Sequence, residues 1–510
     1  MAAAESLLPL IVRAEAHPER IAIVDTAGEH SYSQLLAASA RVAAGLLAGS
    51  VDLAQARIAF FVSPGFEHVA TQWGIWCAGG IAVPLGLSHP RAELAYTIRD
   101  ADAATLVTEP ASTELLHPLA AEIGARFVTT AELLSGPTGP LPAVTEERRA
   151  LMVYTSGTTG KPKGVVTTHA NLRAQITALI EAWEWTPSDR ILLVLPLHHV
   201  HGIVNVVLSA LWAGATVETL PRFDADEVWR RIATGRLTLF MAVPTIYRRL
   251  IAAWEVAPPE RRAALSEGCR RMRVMISGSA ALPIDTLEEW RRISGHTLLE
   301  RYGMTELGMA LANPLHGERR PGYVGAALPG VEVRLVDEKG ALANPGSPGE
   351  IEVRGPNVFL EYWRQPEATR AAFRDGWFRT GDTAIVDAGS YRILGRSSVD
   401  ILKTGGFKVS ALEIEEELRT HPAIADCAVV GVEDPDWGER ICVAVELTEG
   451  ARLSIEELQR WAKERLAPYK VPRTLRCVQA LPRNAMGKVV KPQVARLFSP
   501  VLPGGDLPET

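Results

Sequence analysis

Short apolar runs alternate with stretches of helical period along most of the chain. Residues 58–62, 191–194, 237–243 and 273–276 read as buried strands, whereas 224–233 and 284–293 repeat their apolar positions along one helical face. This rhythm predicts an α/β fold of helices layered on sheets. Between residues 321 and 355 the runs EVRLV and EIEVRG stand among Gly and Pro turn signals, which predicts a small β-rich subdomain. From about Gly395 onward ILKTG, ALEIEEELRTH, ADCAVVGV, ICVAVEL and SIEELQRWAKERL read as strand, helix, strand, strand and helix. The expected architecture is a large N-terminal body over 1–396, with two α/β sheet subdomains plus the β-rich one. A small α+β C-terminal domain over 397–510 follows, near the usual domain size of about 100–150 residues. The last ten residues, VLPGGDLPET, read as a loose tail.

Composition narrows the class. With 510 residues, 47% apolar and 22% charged, the chain matches a globular enzyme. A net charge of -6 with Lys and Arg spread throughout leaves no broad basic face, so nucleic acid is not an expected partner. The cysteines at 77, 269, 427, 442 and 477 are odd in number and show no CxxC spacing, which argues against a disulfide framework or a zinc site. Together with an N-terminus unlike a signal peptide and no apolar stretch long enough for a membrane helix, this sets the expectation of a cytoplasmic protein. A monomer is the default for its assembly, with a weak dimer as the alternative.

The strongest chemical signal follows the strand-like run ALMVY. Thr155, Ser156, Gly157, Thr158, Thr159, Gly160, Lys161, Pro162, Lys163 and Gly164 combine glycines that admit an anion to the backbone, hydroxyl donors and two cations. The order is not that of a Walker A loop. Taken alone, the run also suits a solvated linker, but the strand before it and the lysine pair favour a polyphosphate loop.

Further along stand LPLHHVHG (195–202), Ser277-Gly278-Ser279-Ala280, Tyr302-Gly303-Met304-Thr305-Glu306, WFRTGD (377–382), Gly395-Arg396 and PRNAMGK (482–488). With the loop, these seven motifs resemble the adenylate-forming superfamily of acyl-CoA synthetases, luciferases and peptide-synthetase adenylation domains, over nearly the whole chain. The resemblance implies ATP, Mg²⁺ and coenzyme A, and a carboxylic acid that attacks the α-phosphorus of ATP. It implies Glu306 as the Mg²⁺ ligand, Thr158 on phosphate, Tyr302 stacked on adenine with the 277–280 backbone along its edge, and Asp382 on the ribose hydroxyls with Arg396 beside it. Lys488 becomes the catalytic cation of a mobile C-terminal domain. That domain then turns so that Gly405, Gly406 and Lys408 face the site and admit CoA. The hinge is placed at Ser398, because the spacing between Arg396 and Asp400 departs from the shorter pattern of many relatives.

Within that superfamily the segments resemble those of the malonyl-CoA synthetases. A dicarboxylate leaves a second carboxylate in the acyl pocket, and burying it unpaired costs several kcal/mol. Arg301 is expected to supply the matching cation, His201 a further donor and catalytic group, and Met304 a narrowing wall; methylmalonate is the second candidate. The competing readings are a ligase for a short or aromatic monocarboxylic acid, a carrier-protein-loading module and a non-catalytic ATP-binding protein. Arg301 as an ion-pair partner of Glu300, with His201 an ordinary core histidine, is the structural alternative.

Overall fold

The computed structural model describes residues 8–155, 162–396, 399–404, 407–434, 437–484 and 487–498. Its internal contacts divide the chain into two units: the residues up to Val333 with Val353–Arg379, and Arg334–Glu352 with the residues from Thr380 on. The sequence reading cuts the chain at 396, whereas the contacts group Asp382 and Arg396 with the second unit. The reason is local, because the strand Ser390–Arg396 pairs antiparallel with the preceding strand and sets Arg396 opposite Asp382.

The first unit contains two large sheets. In one, the strands Leu299–Met304, Val274–Ser277, Leu239–Ala242, Arg190–Leu193 and Thr216–Thr219 lie side by side in parallel, matching the apolar runs at 191–194, 237–243 and 273–276. In the other, Lys163–Thr168, Arg149–Thr155, Ile81–Pro84, Arg57–Phe61, Thr105–Thr108 and Arg126–Thr129 are neighbours. Such strands, covered on both faces, need no polar alternation, so they read as unbroken apolar runs. The helices Ala225–Ala233 and Ile284–Ser294 bury Trp229 and Trp290, whose rings stack with centroids 5.6 Å apart. The Asp224 carboxylate caps the first by accepting from Glu227 N at 2.8 Å. A π-helical segment, His201–Leu208, is buried at every residue.

In the second unit Ile424–Asp434 and Gly438–Leu447 form an antiparallel pair, and the other edge of Gly438–Leu447 takes Thr474–Val478 in parallel along Cys442–Glu446 and, at Gly438, Ile401–Thr404, which pairs in turn with Phe407–Ser410. Alternate residues face different cores. Cys427, Val429, Ile441 and Val443 pack with Ile414, Leu418 and Leu458 from the helices Ala411–Leu418 and Ile455–Lys463. Ala428, Val430, Cys442 and Ala444 pack with Leu481 and with Val494 of the short helix Lys491–Arg496. Burial on both faces explains the continuous apolar stretch ADCAVVGV. All five cysteines are free, and among the described residues no helix is long and apolar enough to cross a membrane.

Candidate active site

The strands that lead into and out of the expected phosphate loop are neighbours in a sheet of the first unit. Thr155 closes the strand Arg149–Thr155, and the antiparallel register sets it opposite Lys163. Ser156, Gly157, Thr158, Thr159, Gly160 and Lys161 lie outside the described residues. A two-residue strand, Glu361–Tyr362, adds to this edge opposite Val165 and Val166. It brings the Tyr362 ring to 4.9 Å from the Lys163 ammonium and its hydroxyl to 2.9 Å from Glu306 Oε1, to which it donates. Glu306 itself is buried, in the turn between Leu299–Met304 and Gly308–Ala312, and its peptide oxygen accepts from Phe359 N at 2.7 Å. A carboxylate and an ammonium therefore bracket the foot of the loop. Among the described residues no three His, Cys, Asp or Glu side chains gather as a metal cage. A single buried carboxylate near Lys163 and Tyr362 would instead suit Mg²⁺, which takes one or two protein carboxylates and fills its shell with phosphate oxygens and water.

Arg301 occupies the interior of the same strand that carries Tyr302, Gly303 and Met304. It is 3% exposed, and none of its three guanidinium nitrogens has a hydrogen-bond partner. Neighbours in a strand point to opposite faces, and none of the Arg301 nitrogens is hydrogen-bonded to the Glu300 carboxylate. Burial pushes its pKa down to about 9, with Tyr247 opposing, so the group is still a cation at neutral pH. A methyl group on Gly278 would fall 2.5 Å from Arg301 Nη1 and 2.6 Å from Cζ, so the guanidinium lies directly on this backbone and a larger residue would displace it. Beside it the Ser277 hydroxyl is fully buried, also without a partner.

His201 completes this pocket. Its Nδ1 lies 3.1 Å from Ser279 Oγ, while Nε2 is buried with no partner. Loss of hydration, followed by the Arg301 and His199 charges, holds its pKa well below the usual histidine value, so the ring is neutral. Ser279, expected along the adenine edge, is thus engaged with His201 and adopts a left-handed φ of 70°; Ala280 is exposed. Arg301, His201 and Ser277 leave unsatisfied donors and acceptors close together in a buried region. Buried polar groups are ordinarily paired, so the arrangement has the chemistry to receive a small anion.

The second unit gathers the remaining expected residues. Arg396 Nε donates to Asp382 Oδ1 at 2.9 Å, with Nη2 3.5 Å from Oδ2, so Arg396 holds the Asp382 carboxylate. The backbone after Arg396 turns sharply, with Asp400 N donating to Arg396 O at 2.7 Å and Arg396 N donating to Asp400 Oδ2 at 3.0 Å. Ser398 falls outside the described residues, as do Gly405, Gly406 and the Lys408 side chain. Lys488 belongs to a small hairpin in which Arg483 bridges Val489, and Lys488 N donates to Asn484 Oδ1 at 3.0 Å. By surface area Lys488 is exposed, yet charge crowds it. Loss of hydration and then Arg396 lower its pKa, against the raising influence of Asp400 and Asp382, and Lys491 lowers it further. Asp382, Arg396 and Lys488 therefore share one charged cluster.

Comparison with known proteins agrees with this geometry. A family model described as AMP-binding enzyme matches residues 10–363, and one described as AMP-binding enzyme C-terminal domain matches 413–488. The chain belongs to the AMP-binding enzyme family. Within the family it is 45% identical to the human malonate–CoA ligase ACSF3, mitochondrial, over 96% of this chain and 92% of that protein. It is 41% identical to a malonate–CoA ligase of Arabidopsis thaliana, over 94% of this chain and 86% of that one. The crystal structure of ATP-bound MatB from Rhodopseudomonas palustris superimposes with a TM-score of 0.89 at 36% identity, covering 96% of this chain and 99% of that one.

In this AMP-binding enzyme the first matched stretch holds Thr155, Lys163, the 277–280 segment, Arg301 and Glu306, and the second ends on Lys488. Sequence reasoning missed Tyr362, Asp400 and Lys491. Tyr362 lies some 200 residues from Lys163 in a strand of two residues, too short for any periodic signal. Asp400 carried a signal, as an acidic residue just past Arg396, but nothing in the sequence said which group it grips.

Proposed function

We propose that the protein is an ATP-dependent malonate–CoA ligase. The malonate carboxylate attacks the α-phosphorus of ATP, the bond to pyrophosphate breaks, and malonyl-adenylate forms. The CoA thiol then loses its proton and attacks the acyl carbon, and AMP leaves with the bonding pair. The observation that carries the substrate is Arg301, a buried cation with no partner until a second carboxylate arrives. Such a charge pair is worth most where water is excluded, which is where Arg301 lies. Neutral His201 adds a donor without adding charge. The names of the human and plant relatives support the same substrate.

The chain's own groups divide the chemistry. The loop after Thr155, with Lys163, receives the phosphates, and Glu306, steadied by Tyr362, would hold Mg²⁺, whose charge offsets that of the phosphate oxygens. Tyr302 and the 277–280 backbone take the adenine side and Asp382 the ribose. Lys488 stabilises charge on the attacking carboxylate and α-phosphate. The reading assigns the second step to a turn of the C-terminal domain about Ser398 that exposes the Gly405-Gly406 loop and Lys408 to CoA. Methylmalonate remains a substrate, since one methyl group shifts discrimination by about 1–3 kcal/mol. A reducing compartment suits five free cysteines, and the cytoplasm is the proposed location, although the mammalian relatives are named mitochondrial.

Pyrophosphate release with ATP, CoA and a panel of acids tests the proposal. Malonate should give the highest kcat/KM. Arg301→Ala should lower that value by about 10²-fold or more with malonate and only a few-fold with acetate or butyrate. Uniform loss across acids would mark Arg301 as structural, and equal turnover of simple fatty acids by the unaltered protein would overturn the diacid assignment.

A further inference from the structure

A buried ion cluster in the second unit is not used by the chemistry described so far. Lys491 Nζ, on a side chain that is 10% exposed, lies 2.7 Å from Asp400 Oδ1 and 2.6 Å from Glu415 Oε1. These are charge contacts directed off the ideal hydrogen-bond axis. Each partner is anchored elsewhere. Asp400 accepts the Arg396 N–H through its other oxygen, and Glu415 Oε1 accepts from Val429 N at 2.8 Å in the edge strand Ile424–Asp434. Gly395 leaves room for this: with φ at +126°, a Cβ there would sit 2.3 Å from Asp400 Cβ.

The placement of Lys491 in the chain gives the cluster its meaning. Lys491 is the first residue of the helix Lys491–Arg496 and stands three residues beyond Lys488. Between them, Val489 bridges Arg483 and Val490 N donates to Pro482 O at 2.8 Å, so the hairpin that carries Lys488 runs without slack into Lys491. A cation in the first turn of a helix opposes the helix dipole, so this position is unfavourable for lysine unless the carboxylates compensate. Burial alone would drag its pKa down, but Glu415 and Asp400 outweigh that and leave it raised.

We propose that Lys491 is a positioning residue for adenylation: by clamping Asp400 and Glu415 it ties the hairpin bearing Lys488 to the turn that follows Arg396. The ribose-side pair Asp382–Arg396 and the catalytic lysine are then set by one shared fixture. The inference rests on the adenylation chemistry proposed above. Its distinguishing consequence is an unequal effect on the two half-reactions, since Lys488 serves the first.

The test uses the full chain and measures ATP–pyrophosphate exchange separately from transfer of supplied acyl-adenylate to CoA. Wild-type exchange is established across the acid panel first. Failure with malonate strikes the substrate reading, and the Lys491 comparison then proceeds with whichever acid supports exchange. Lys491→Met should lower the exchange kcat at least tenfold with KM for acid and ATP within about threefold, leaving acyl transfer within about twofold. Lys491→Arg should recover most of the exchange. Asp400→Asn, which weakens the clamp from the other side, should reproduce the split, and the double variant should lose less than the product of the single losses. Equal loss in both half-reactions, or unchanged exchange in Lys491→Met, overturns the proposal. Unfolding of both single variants by circular dichroism also overturns it, by assigning the cluster to folding alone.

Discussion

A guanidinium buried without a counter-charge is a liability that the free protein carries at position 301. Taking one partner from a buried pair ordinarily costs about 3–5 kcal/mol, and here the partner is absent until substrate binds. Arg301→Met, which keeps the length and removes the charge, should therefore raise the unfolding free energy of the ligand-free protein by about 1–4 kcal/mol while abolishing selectivity for malonate. Urea unfolding read beside kcat/KM checks both halves. Gly278→Ala places a carbon 2.5 Å from Nη1 and forces the guanidinium aside, so KM for malonate should rise at least tenfold with adenylation of acetate little changed. The residue types at 201, 301 and 306 were visible in their motifs. Their state was not: a sequence does not reveal that the Arg301 guanidinium and His201 Nε2 lack partners, because that depends on the strand beside Gly278 and on a π-helix.

At the scale of elements, the two-residue strand Glu361–Tyr362 holds the phosphate edge to Glu306. Tyr362→Phe removes one hydroxyl that donates to the carboxylate and keeps the ring against Lys163. The Mg²⁺ concentration for half-maximal activity should rise about three- to tenfold, with thermal stability nearly unchanged; a Mg²⁺ titration of initial rates checks this. The elements that sequence revealed share a cause. Helices 225–233 and 284–294 show strong amphipathic spacing, and the parallel strands show unbroken apolar runs. His201–Leu208 escaped because a fully buried segment has no polar face to set a period, and the helix Lys491–Arg496 because six residues give less than two turns.

For the whole molecule, the first unit stores several histidines in neutral form. Burial drives the pKa of His198 down to about 2 and those of His68 and His199 to about 4, and His201 lies well below its ordinary value. Below about pH 6.5 the unfolded chain takes up protons that the folded chain refuses. The stability contribution of each ring is complete above that pH and falls by about 1.4 kcal/mol per pH unit until the folded pKa is reached. The denaturant midpoint of the first unit should be markedly lower at pH 5.5 than at 7.5, and replacing His198 by Gln should flatten the difference. The bare charge at 301 also bears on how the protein would respond to directed evolution. A screen rewarding heat tolerance alone would discard Arg301 in its early rounds and return sturdier proteins blind to the diacid, so robustness and discrimination must be scored together.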